Sequence, residues 1–545
     1  MIEHDQRHPT TTETPVLVVG AGPVGLVLAQ ELAHHGVRCL VVDRSRSASR
    51  HPKMDYLNAR SMELLRRLGL VDEIRARGVP DDHPFTFLWT TSLAEPPVSV
   101  WSYPSVAQLR KTIADDRDGV QPREPYQRIV GSRLEELGRA RCRADDLVDL
   151  REGWSFEALE SGPDGVDVVL VETGSGLRER VHARFVVGCD GANSAVAAAV
   201  GIEQDELGPR AHHRDVYFRS TDPVLRRHGR FFLAVAAAGL TLVARDGVGT
   251  WTATFPVADD DPVDGDPLDE VRRRLGVPLE VDEVLTVAHW EGRLAVARRY
   301  RQGPVFLAGD AAHQFFPTGG HGANTGIADA VDLGWKLAAV LDGWAGAALL
   351  DSYEAERRPV ALFNREMCFN LLEVWRRYPA LWAGGASRSR LAGFLDTERH
   401  QVDNIGVHLG QRYLDSPVIC PDGTPEPPWD WHRAVATTWP GGRAPNVRLT
   451  DGGHLQDRLG PGFTLVDTSG RDAGGPLADE ASRLGVPLTH LAVDDPGVRA
   501  VWERDLVLVR PDQHVAWRGD RAPDDWRAVL HRVTGRAGDG GRHAY

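Results

Sequence analysis

Short apolar runs alternate with helical patterns along the first two hundred residues of the chain. Residues 16–19 form an apolar run suited to a buried parallel strand, and residues 24–32 continue with a helical pattern that Gly36 is placed to end. Residues 38–43 are predicted as the second strand of this βαβ start. Further elements are predicted as helices over 55–76 and 131–142 and as strands over 167–172 and 184–189.

The second half of the chain changes character several times. Polar and apolar residues alternate over 213–290, which predicts an antiparallel sheet and a second domain. Residues 305–308 are another buried strand, a helix is predicted from 325 to 341, and helical patterns continue to about residue 415. Three stretches differ: 81–122 is Pro-rich and aromatic and predicts no regular element, 420–447 predicts a linker, and the last hundred residues alternate strands and helices. The chain is therefore predicted to be α/β with about three domains.

Composition excludes several partners. The net charge of −14 argues against nucleic acid and against an anionic membrane, because both need basic surfaces. The five cysteines are scattered and form no C-x-x-C, which predicts a reduced, cytoplasmic location with no disulfide framework and no metal site. No apolar run is long enough to span a bilayer, and the first fourteen residues have the composition of a loose tail rather than of a signal peptide.

The first candidate site is the glycine turn after residues 16–19. Gly20, Gly22 and Gly25 form G-x-G-x-x-G, which allows a tight turn and a close approach of backbone to a pyrophosphate at a helix N-terminus. Pro23 and Val24 begin that helix. Two charged residues complete the prediction of a dinucleotide site at the end of the second strand: Asp43 for the adenosine ribose hydroxyls and Arg44 for adenine or a phosphate, with a solvated arginine as the alternative.

The second candidate site lies far downstream, in residues 309–324. Gly309 and Asp310 follow a buried strand, where the carboxylate can accept hydrogen bonds from a ribityl chain. The glycines that come next, together with Ala323 and Asn324, let backbone lie against a flat ring, and a helix then points its N-terminus at that ring. Such an end stabilises negative charge, as on a reduced flavin. A cofactor reached from both segments is predicted to be FAD; the glycines are Gly319, Gly320 and Gly322.

The motifs together resemble the class A flavoprotein monooxygenases, the FAD-dependent aromatic hydroxylases. The resemblance is carried by Gly309-Asp310-Ala311-Ala312-His313, Pro317, Gly319-Gly320, Gly322, Asn324, Asp332-Leu333, Trp335-Lys336-Leu337-Ala338 and Glu356-Arg357-Arg358-Pro359. The turn Cys189-Asp190-Gly191 resembles the family's Asp-Gly motif, which is linked to FAD and to NAD(P)H use. The segment 508–519 resembles the thioredoxin-like C-terminal domain of the larger members, here without redox cysteines.

This resemblance implies a fold and its division. The expected architecture is α/β, with a Rossmann-like FAD-binding domain, an inserted antiparallel-sheet substrate domain, a helical segment and a thioredoxin-like domain. The expected bounds are 1–80, 123–212 and 301–360 for FAD binding, 81–122 and 213–300 for substrate binding, 361–419 for the helical segment, 420–447 for the linker and 448–545 for the last domain.

The resemblance also implies a mechanism and partners. NADPH or NADH reduces FAD, O2 adds to give a C4a-hydroperoxide, and its distal oxygen attacks a phenolic, hydroxypyridine or polyketide ring. Pro317 and the backbone of 319–324 lie at the flavin face, and the substrate lies between flavin and the 213–290 sheet. Asp55, Tyr217 and His213 are candidate bases for the phenol. A homodimer is the expected assembly.

Three departures from the family pattern qualify the site. Ala197 stands where an arginine often follows the Asp-Gly motif, which leaves the docking of NAD(P)H open. Val130-Gly131 replaces a Pro-Gln pair that contacts flavin, so Gln127 or Arg128 is expected to take that role. His321 stands inside the flavin loop as a catalytic candidate that tunes flavin or substrate ionisation, with a solvent-facing side chain as the alternative.

Other reactions fit the same cofactor frame. Epoxidation, Baeyer–Villiger insertion and oxidative decarboxylation are alternatives to hydroxylation, and a non-catalytic protein that binds flavin or an aromatic ligand is an alternative of another class. A halogenase needs Trp-x-Trp-x-Ile-Pro, whereas Trp429-Asp430-Trp431 is followed by His432-Arg433-Ala434.

Overall fold

The computed structural model describes residues 11–51, 53–258, 265–402, 404–471 and 473–536. In chain order the strands are β1 Thr12–Val19, β2 Cys39–Asp43, β3 Tyr56–Leu57, β4 Phe85–Thr90, β5 Ser99–Tyr103, β6 Gln127–Arg128, β7 Val148–Glu152, β8 Trp154–Ser161, β9 Val166–Glu172, β10 Arg178–Gly188, β11 Gln204–Glu206, β12 Ala211–Arg219, β13 Leu233–Ala236, β14 Leu240–Ala244, β15 Thr250–Val257, β16 Glu283–Gly292, β17 Ala295–Ala297, β18 Arg301–Gln302, β19 Val305–Leu307, β20 His313–Gln314, β21 Phe463–Asp467, β22 Leu488–Ala492, β23 Leu506–Val509 and β24 Val515–Gly519. The α-helices are α1 Pro23–His34, α2 Ala59–Arg67, α3 Val71–Arg77, α4 Val106–Asp115, α5 Gly131–Arg143, α6 Ala195–Ala199, α7 Pro267–Leu275, α8 His321–Leu341, α9 Ala348–Ala383, α10 Arg388–Glu398, α11 Ile405–Leu409, α12 Gly475–Leu484, α13 Pro496–Trp502 and α14 Trp526–Val533.

A parallel sheet with the order β19-β10-β1-β2-β7 forms the first layer of the fold. Its central strand, β1, ends in four fully or nearly fully buried residues, as a strand covered on both faces requires. Helices α1 and α8 pack together in the same hydrophobic core as this sheet. The carboxyl ends of β19, β10, β1 and β2 therefore meet along one edge, the place where open α/β sheets bind ligands.

A second sheet has the order β16-β12-β15-β14-β13-β4-β5. Side chains alternate across it, so Leu88 joins the core that α7 covers, whereas the neighbouring Trp89 joins the core formed with α9 and α10. The stretch 81–122, for which the sequence predicted nothing regular, supplies β4 and β5 to this sheet and also contains α4. The strand conformation of β4 depends on its pairing with β13, which is distant in sequence, so the local pattern of residues 81–122 did not predict it.

A third, mixed sheet forms the end of the chain. Its order is β22-β21-β23-β24, with β21 parallel to β22 and antiparallel to β23. Trp335 of α8 and Leu349 of α9 share a buried cluster with Phe463 and Leu465 of β21. The last domain thus packs directly on the helices that follow the flavin loop.

The single helix predicted over 55–76 is wrong. Tyr56–Leu57 is extended and pairs with β6, and Asn58 then caps α2 through a bond from the Ser61 N–H to its side chain. Gly69, with φ of 69°, turns the chain between α2 and α3. The extended residues owe their conformation to a partner strand seventy residues away, which a helical periodicity cannot reveal.

Two predicted boundaries differ from the structure. The boundary at residue 360 falls inside α9, a continuous helix that contains Pro359 and Pro379. The predicted linker 420–447 has no helix or strand, yet residues 440–447 are buried, and Ala444 and Val447 belong to the core of the last domain. The stretch is therefore part of a packed unit. Residues 12–14 of the predicted tail are strand β1, and residues 1–10 lie outside the described residues.

Candidate active site

Backbone hydrogen bonds connect the four loops at the carboxyl edge of the first sheet. Ala308 donates to Gly188 O at 3.0 Å, and Cys189 donates to Val19 O at 2.8 Å. Gly20 then donates to Val42 O at 2.7 Å. The two segments singled out in the sequence, after β1 and after β19, are therefore separated only by the Asp-Gly turn that follows β10.

The glycine turn after β1 is tight on one side and open on the other. A Cβ at Gly20 would lie 2.4 Å from Cys189 O, and a Cβ at Gly25 would lie 2.0 Å from Gly20 O. A Cβ at Gly22 would meet no protein atom within 4 Å. Gly22 is also the N-cap of α1 and offers no side-chain cap, so N–H groups at this end are free for an anion.

Asp43 joins the end of β2 to this turn. Its carboxylate accepts hydrogen bonds from the N–H groups of Ala21 and Ser45, each at 2.7 Å, and the guanidinium of Arg139 lies 3.5 Å away. A carboxylate has about four lone-pair sites, so capacity remains for ribose hydroxyls. Arg44, beside it, is exposed.

Asp190, by contrast, uses its carboxylate to shape its own turn. It accepts hydrogen bonds from Ser194 Oγ at 2.6 Å and from the Val196 N–H at 3.1 Å. Gly191 follows with φ of 85°, in the region that favours glycine. The 189–191 turn is half-exposed and lies between the loops that follow β1 and β19, at the carboxyl edge of the sheet.

The loop after β19 packs closely on α1. Gly309 has φ of 61°, and a Cβ there would lie 2.8 Å from Val24. Asp310 comes next with an exposed side chain, although surrounding protein desolvates the carboxylate and raises its pKa. Its neighbour Lys53 acts in the opposite direction on the pKa, after His313.

Further along this loop the backbone is open. Pro317 is exposed, and Gly319 and Gly320 have φ of 79° and 66°. A Cβ at Gly322 would meet no protein atom within 4 Å. The helix α8 begins here, after Gly320, without a side-chain cap, so its first N–H groups are available to a negatively charged ring.

Three buried polar side chains, His313, Asp329 and Arg357, hold the loop that follows β19. His313 Nε2 lies 2.8 Å from Asp329 Oδ2, and Arg357 Nε donates to Asp329 Oδ1 at 2.8 Å. Although burial opposes it, the charge of Arg357 together with His313 lowers the pKa of Asp329. Since Gly309 N–H also donates to Asp329, at 3.3 Å, the triad holds the loop rather than reacting in it.

Asn324 uses its side chain inside the protein. Its Oδ1 accepts the Asn58 N–H at 2.8 Å, and its Nδ2 donates to Tyr56 O at 3.0 Å and to Gly320 O at 2.6 Å. With three bonds made and 5% exposure, the amide group fixes the loop. A contribution of Asn324 to cofactor binding therefore falls to its backbone.

The side chains of Gln127 and Arg128, expected to contact flavin, are engaged with other groups of the protein. Gln127 Nε2 donates to Val79 O and Arg128 O, each at 2.9 Å, while its Oε1 accepts from Arg75 at 2.8 Å. Arg128 pairs with Asp55 at 2.7 Å and lies 3% exposed. Both are held by tertiary partners that the sequence did not identify.

His321 is enclosed at the start of α8. It is 3% exposed, burial lowers its pKa to about 4, and its ring centroid lies 5.6 Å from that of His408. The solvent-facing alternative is therefore wrong. The ring is neutral at physiological pH, and its partner His408 was not identified from the sequence.

Four aromatic rings, the aromatic wall, lie between the flavin loop and the second sheet. A Cβ at Gly320 would lie 2.9 Å from Tyr56, which places this ring against the loop. Phe85 packs on Tyr56 at 5.6 Å between centroids and stacks on Phe232 at 5.0 Å. Tyr126 lies 4.7 Å from Phe85. Their scattered positions, on β3, β4 and two loops, gave no periodic signal.

The three candidate bases have different surroundings. Burial lowers the pKa of His213, which stacks on Trp290 at 4.5 Å, and burial raises the pKa of Tyr217. Burial also raises the pKa of Asp55 despite Arg128, and its Oδ1 has no hydrogen-bond partner among the described residues. Asp55 is paired with Arg128 through Oδ2, and its unpartnered Oδ1 is enclosed by protein.

Metal-ligand clusters and membrane-spanning helices are both absent from the described ranges. They contain no group of three or more side chains suited to hold a metal ion. None of the described helices combines the length and apolar character that a bilayer crossing needs.

Comparison with known proteins completes the description of the site. Residues 13–364 match the family described as FAD binding domain, and residues 437–537 match the family described as aromatic-ring hydroxylase, C-terminal. The chain is 36% identical to the FAD-dependent monooxygenase apdD of Emericella nidulans, over 98% of this chain and 92% of that protein. It is 34% identical to the tetracenomycin B2 monooxygenase-dioxygenase of Streptomyces olivaceus, over 96% and 98%.

Solved structures agree with these matches. RebC-10x, in its native and K252c-bound forms, superposes with a TM-score of 0.87 at 34% identity, over 96% of this chain and 100% of that one. Aklavinone-11 hydroxylase in a ternary complex with FAD and aklavinone superposes with a TM-score of 0.82 at 28% identity, over 96% and 99%.

Proposed function

The chain belongs to the FAD-dependent aromatic-ring hydroxylases, and from this premise we propose that it uses NAD(P)H and O2 to hydroxylate a polycyclic phenolic substrate. The alternatives of epoxidation, Baeyer–Villiger insertion, oxidative decarboxylation and non-catalytic binding are not favoured, since the relatives are named as monooxygenases and hydroxylases.

One observation carries the proposal: two glycines with open space at the Cβ position stand at the starts of two neighbouring helices, α1 and α8. A Cβ at Gly22, at the start of α1, or at Gly322, at the start of α8, would meet no protein atom within 4 Å. A Cβ at Gly20, Gly25 or Gly309 would lie within 3 Å of a protein atom. Each open glycine lies at an uncapped helix N-terminus. This arrangement fits a long ligand with a pyrophosphate at one end and an electron-rich ring at the other, as FAD has.

The residues divide the binding of FAD between them. Gly22, Pro23 and Val24 would hold the pyrophosphate at the start of α1, and Asp43, with Arg44 nearby, would receive the adenosine end. Asp310, exposed after β19, would accept hydrogen bonds from hydroxyl groups of the chain that joins the pyrophosphate to the flavin ring. The backbone of 319–324, with Pro317 beside it, would hold the flavin ring.

Bound FAD supplies hydride acceptance from NAD(P)H and, once reduced, the activation of O2. The protein's own part is to orient the substrate ring and to exclude water from the reaction. The aromatic wall of Tyr56, Phe85, Tyr126 and Phe232 offers stacking surface beside the flavin loop, which suits several fused rings better than one.

Three further expectations belong to this proposal. O2 is the co-substrate, the protein is a homodimer, and its location is cytoplasmic, which the five free cysteines support. Light scattering after size-exclusion chromatography tests the dimer.

The test is a substrate panel on the purified, FAD-loaded protein. Visible absorption records the flavin, and oxidation of NADPH and NADH is followed with linear tetracyclic phenols, an indolocarbazole and a single-ring catechol. The proposal expects oxidation that accelerates with a polycyclic phenol and a product heavier by one oxygen atom. Acceleration by the catechol alone would overturn the substrate class, and a protein that takes up no FAD would overturn the mechanism.

A further inference from the structure

The C-terminal domain reaches the helix that follows Tyr56. Arg60, in the first turn of α2, donates through Nη2 to Asp512 O at 2.7 Å and through Nη1 to Gln513 Oε1 at 3.1 Å. Asp512 and Gln513 form the turn between β23 and β24. All three residues are buried, with 6% exposure or less. The guanidinium of Arg60 is therefore inserted into a turn of another domain.

The same turn of α2 is bonded to the flavin loop. The N-cap residue Asn58 donates its N–H to Asn324 Oδ1 at 2.8 Å and accepts the Ser61 N–H at 2.8 Å. Asn324 in turn holds Gly320 O, at 2.6 Å. Two residues of backbone and one side chain thus separate Arg60 from Gly320, the N-cap residue of α8.

The 512–513 turn is itself rigidly placed. Gln513 has φ of 65°, a left-handed conformation that a residue with a side chain adopts only when its surroundings impose it. Arg510, just before the turn, pairs with Glu356 at 2.6 Å and with Asp332 of α8 at 2.9 Å, and all of these groups are buried. Helix α8 also starts at the flavin loop. The contacts therefore form a closed circuit, in which Arg510 joins α8 to the 512–513 turn, Arg60 joins the turn to α2, and Asn58 joins α2 to Asn324 of α8.

We propose that Arg60 is a positioning residue for flavin, through which the C-terminal domain sets the geometry of the 319–324 loop. The domain then contributes to hydroxylation without redox cysteines, by fixing α2 and, through Asn58 and Asn324, the backbone that lies against the ring. This inference rests on the proposed function for its link to hydroxylation, but its link to FAD binding stands separately.

A matched control lies on the same helix. Arg66 also joins α2 to the C-terminal domain, with Nε 2.6 Å and Nη2 3.1 Å from the Asp457 carboxylate. It lies about 9 Å further along the helix axis, and its guanidinium bonds Asp457 and Glu124. An effect of general docking between the domains appears in both arginines, whereas an effect on the flavin loop appears in Arg60 alone.

The experiment compares Arg60→Lys, Arg66→Lys and Gln513→Gly with the wild type, each as the full chain loaded with FAD. Lysine keeps the charge but loses the two-pronged geometry. Glycine adopts the turn at residue 513 without strain and removes the acceptor, so this variant keeps the fold if Arg60→Lys does not. The measurements are FAD dissociation by fluorescence, the flavin absorption bands, the melting temperature and the fraction of NAD(P)H oxidation that yields product.

Arg60→Lys is expected to weaken FAD binding and to lower the product fraction by about three- to tenfold, with shifted flavin bands. Gln513→Gly is expected to do the same to a smaller extent, because the Asp512 bond remains. Arg66→Lys is expected to change neither quantity. Equal effects of both arginine variants, or no effect of Arg60→Lys and Gln513→Gly, would overturn the proposal. If the wild type binds FAD but hydroxylates nothing, the hydroxylase proposal fails, and the FAD measurements still decide on Arg60.

Discussion

Glu31 on α1 and Arg67 on α2 form a buried ion pair beneath α8, with Arg67 Nη2 3.2 Å from Glu31 Oε1. The carboxylate is fully buried and is also 3.2 Å from His35 Nε2. A Cβ at Gly334 of α8 would lie 2.6 Å from Glu31, so the pair sits where three helices meet. Although burial opposes it, Arg67 and His35 lower the pKa of Glu31 to about 2.

The first prediction is an acid sensitivity carried by this pair. A lowered carboxyl pKa stabilises the fold fully above the ordinary value of 4.5, and that contribution is lost as the pH falls towards 2. Glu31→Gln is therefore expected to cost about 3 kcal/mol at pH 7 and progressively less below pH 4.5. Denaturant unfolding of both proteins at pH 7 and pH 3 measures the difference. An equal cost at both pH values contradicts the prediction.

The second prediction concerns the open glycine of the first turn. Gly22→Ala introduces a Cβ that meets no protein atom, so the fold is expected to remain, but the methyl group occupies the space assigned to the pyrophosphate. FAD affinity is expected to fall by about tenfold or more, near 1.4 kcal/mol. Equilibrium titration with FAD measures it. Gly475→Ala is the control, because a Cβ there also meets no protein atom and lies in the C-terminal domain.

The third prediction tests the aromatic wall. Phe85→Ala removes the ring that stacks on Phe232 and packs on Tyr56 and Tyr126. The KM for a polycyclic phenol is expected to rise by about tenfold, while FAD affinity stays the same. Steady-state kinetics gives the KM, with Trp382→Ala, at an exposed position of α9, as the control. A lost kcat with an unchanged KM would place the ring elsewhere in the mechanism.

The fourth prediction tests whether His321 acts as a general acid or base. Because burial keeps the ring neutral, with a pKa of about 4, it adds no titration to the pH profile between 5 and 8. His321→Phe is expected to keep kcat/KM within about tenfold of the wild type, whereas loss of a general acid or base costs about 10²–10⁴-fold. The kcat/KM of both proteins across that pH range decides it, with the exposed His400→Phe as the control.

Local pattern determined a large part of this protein. The apolar run before Gly20, the spacing of Gly20, Gly22 and Gly25, and the glycines of 309–324 each express a constraint that neighbouring residues impose, namely a buried strand, a tight turn or a close approach of backbone. The FAD-binding family follows from those segments, and the comparisons confirm it. The positions of β4 and β5 were hidden, since their strand character depends on pairing with β13.

Tertiary structure alone decided which polar side chains are free to act. Gln127 looked available, but Arg75 and two carbonyl groups occupy its amide, and Asn324 gives its amide to Asn58, Tyr56 and Gly320. The sequence by itself determined the cofactor class, because helix ends and glycine turns are local. It did not determine the surroundings of Asp55 or the contact of Arg60 with Gln513, because those hydrogen bonds join residues that only the folded chain brings together.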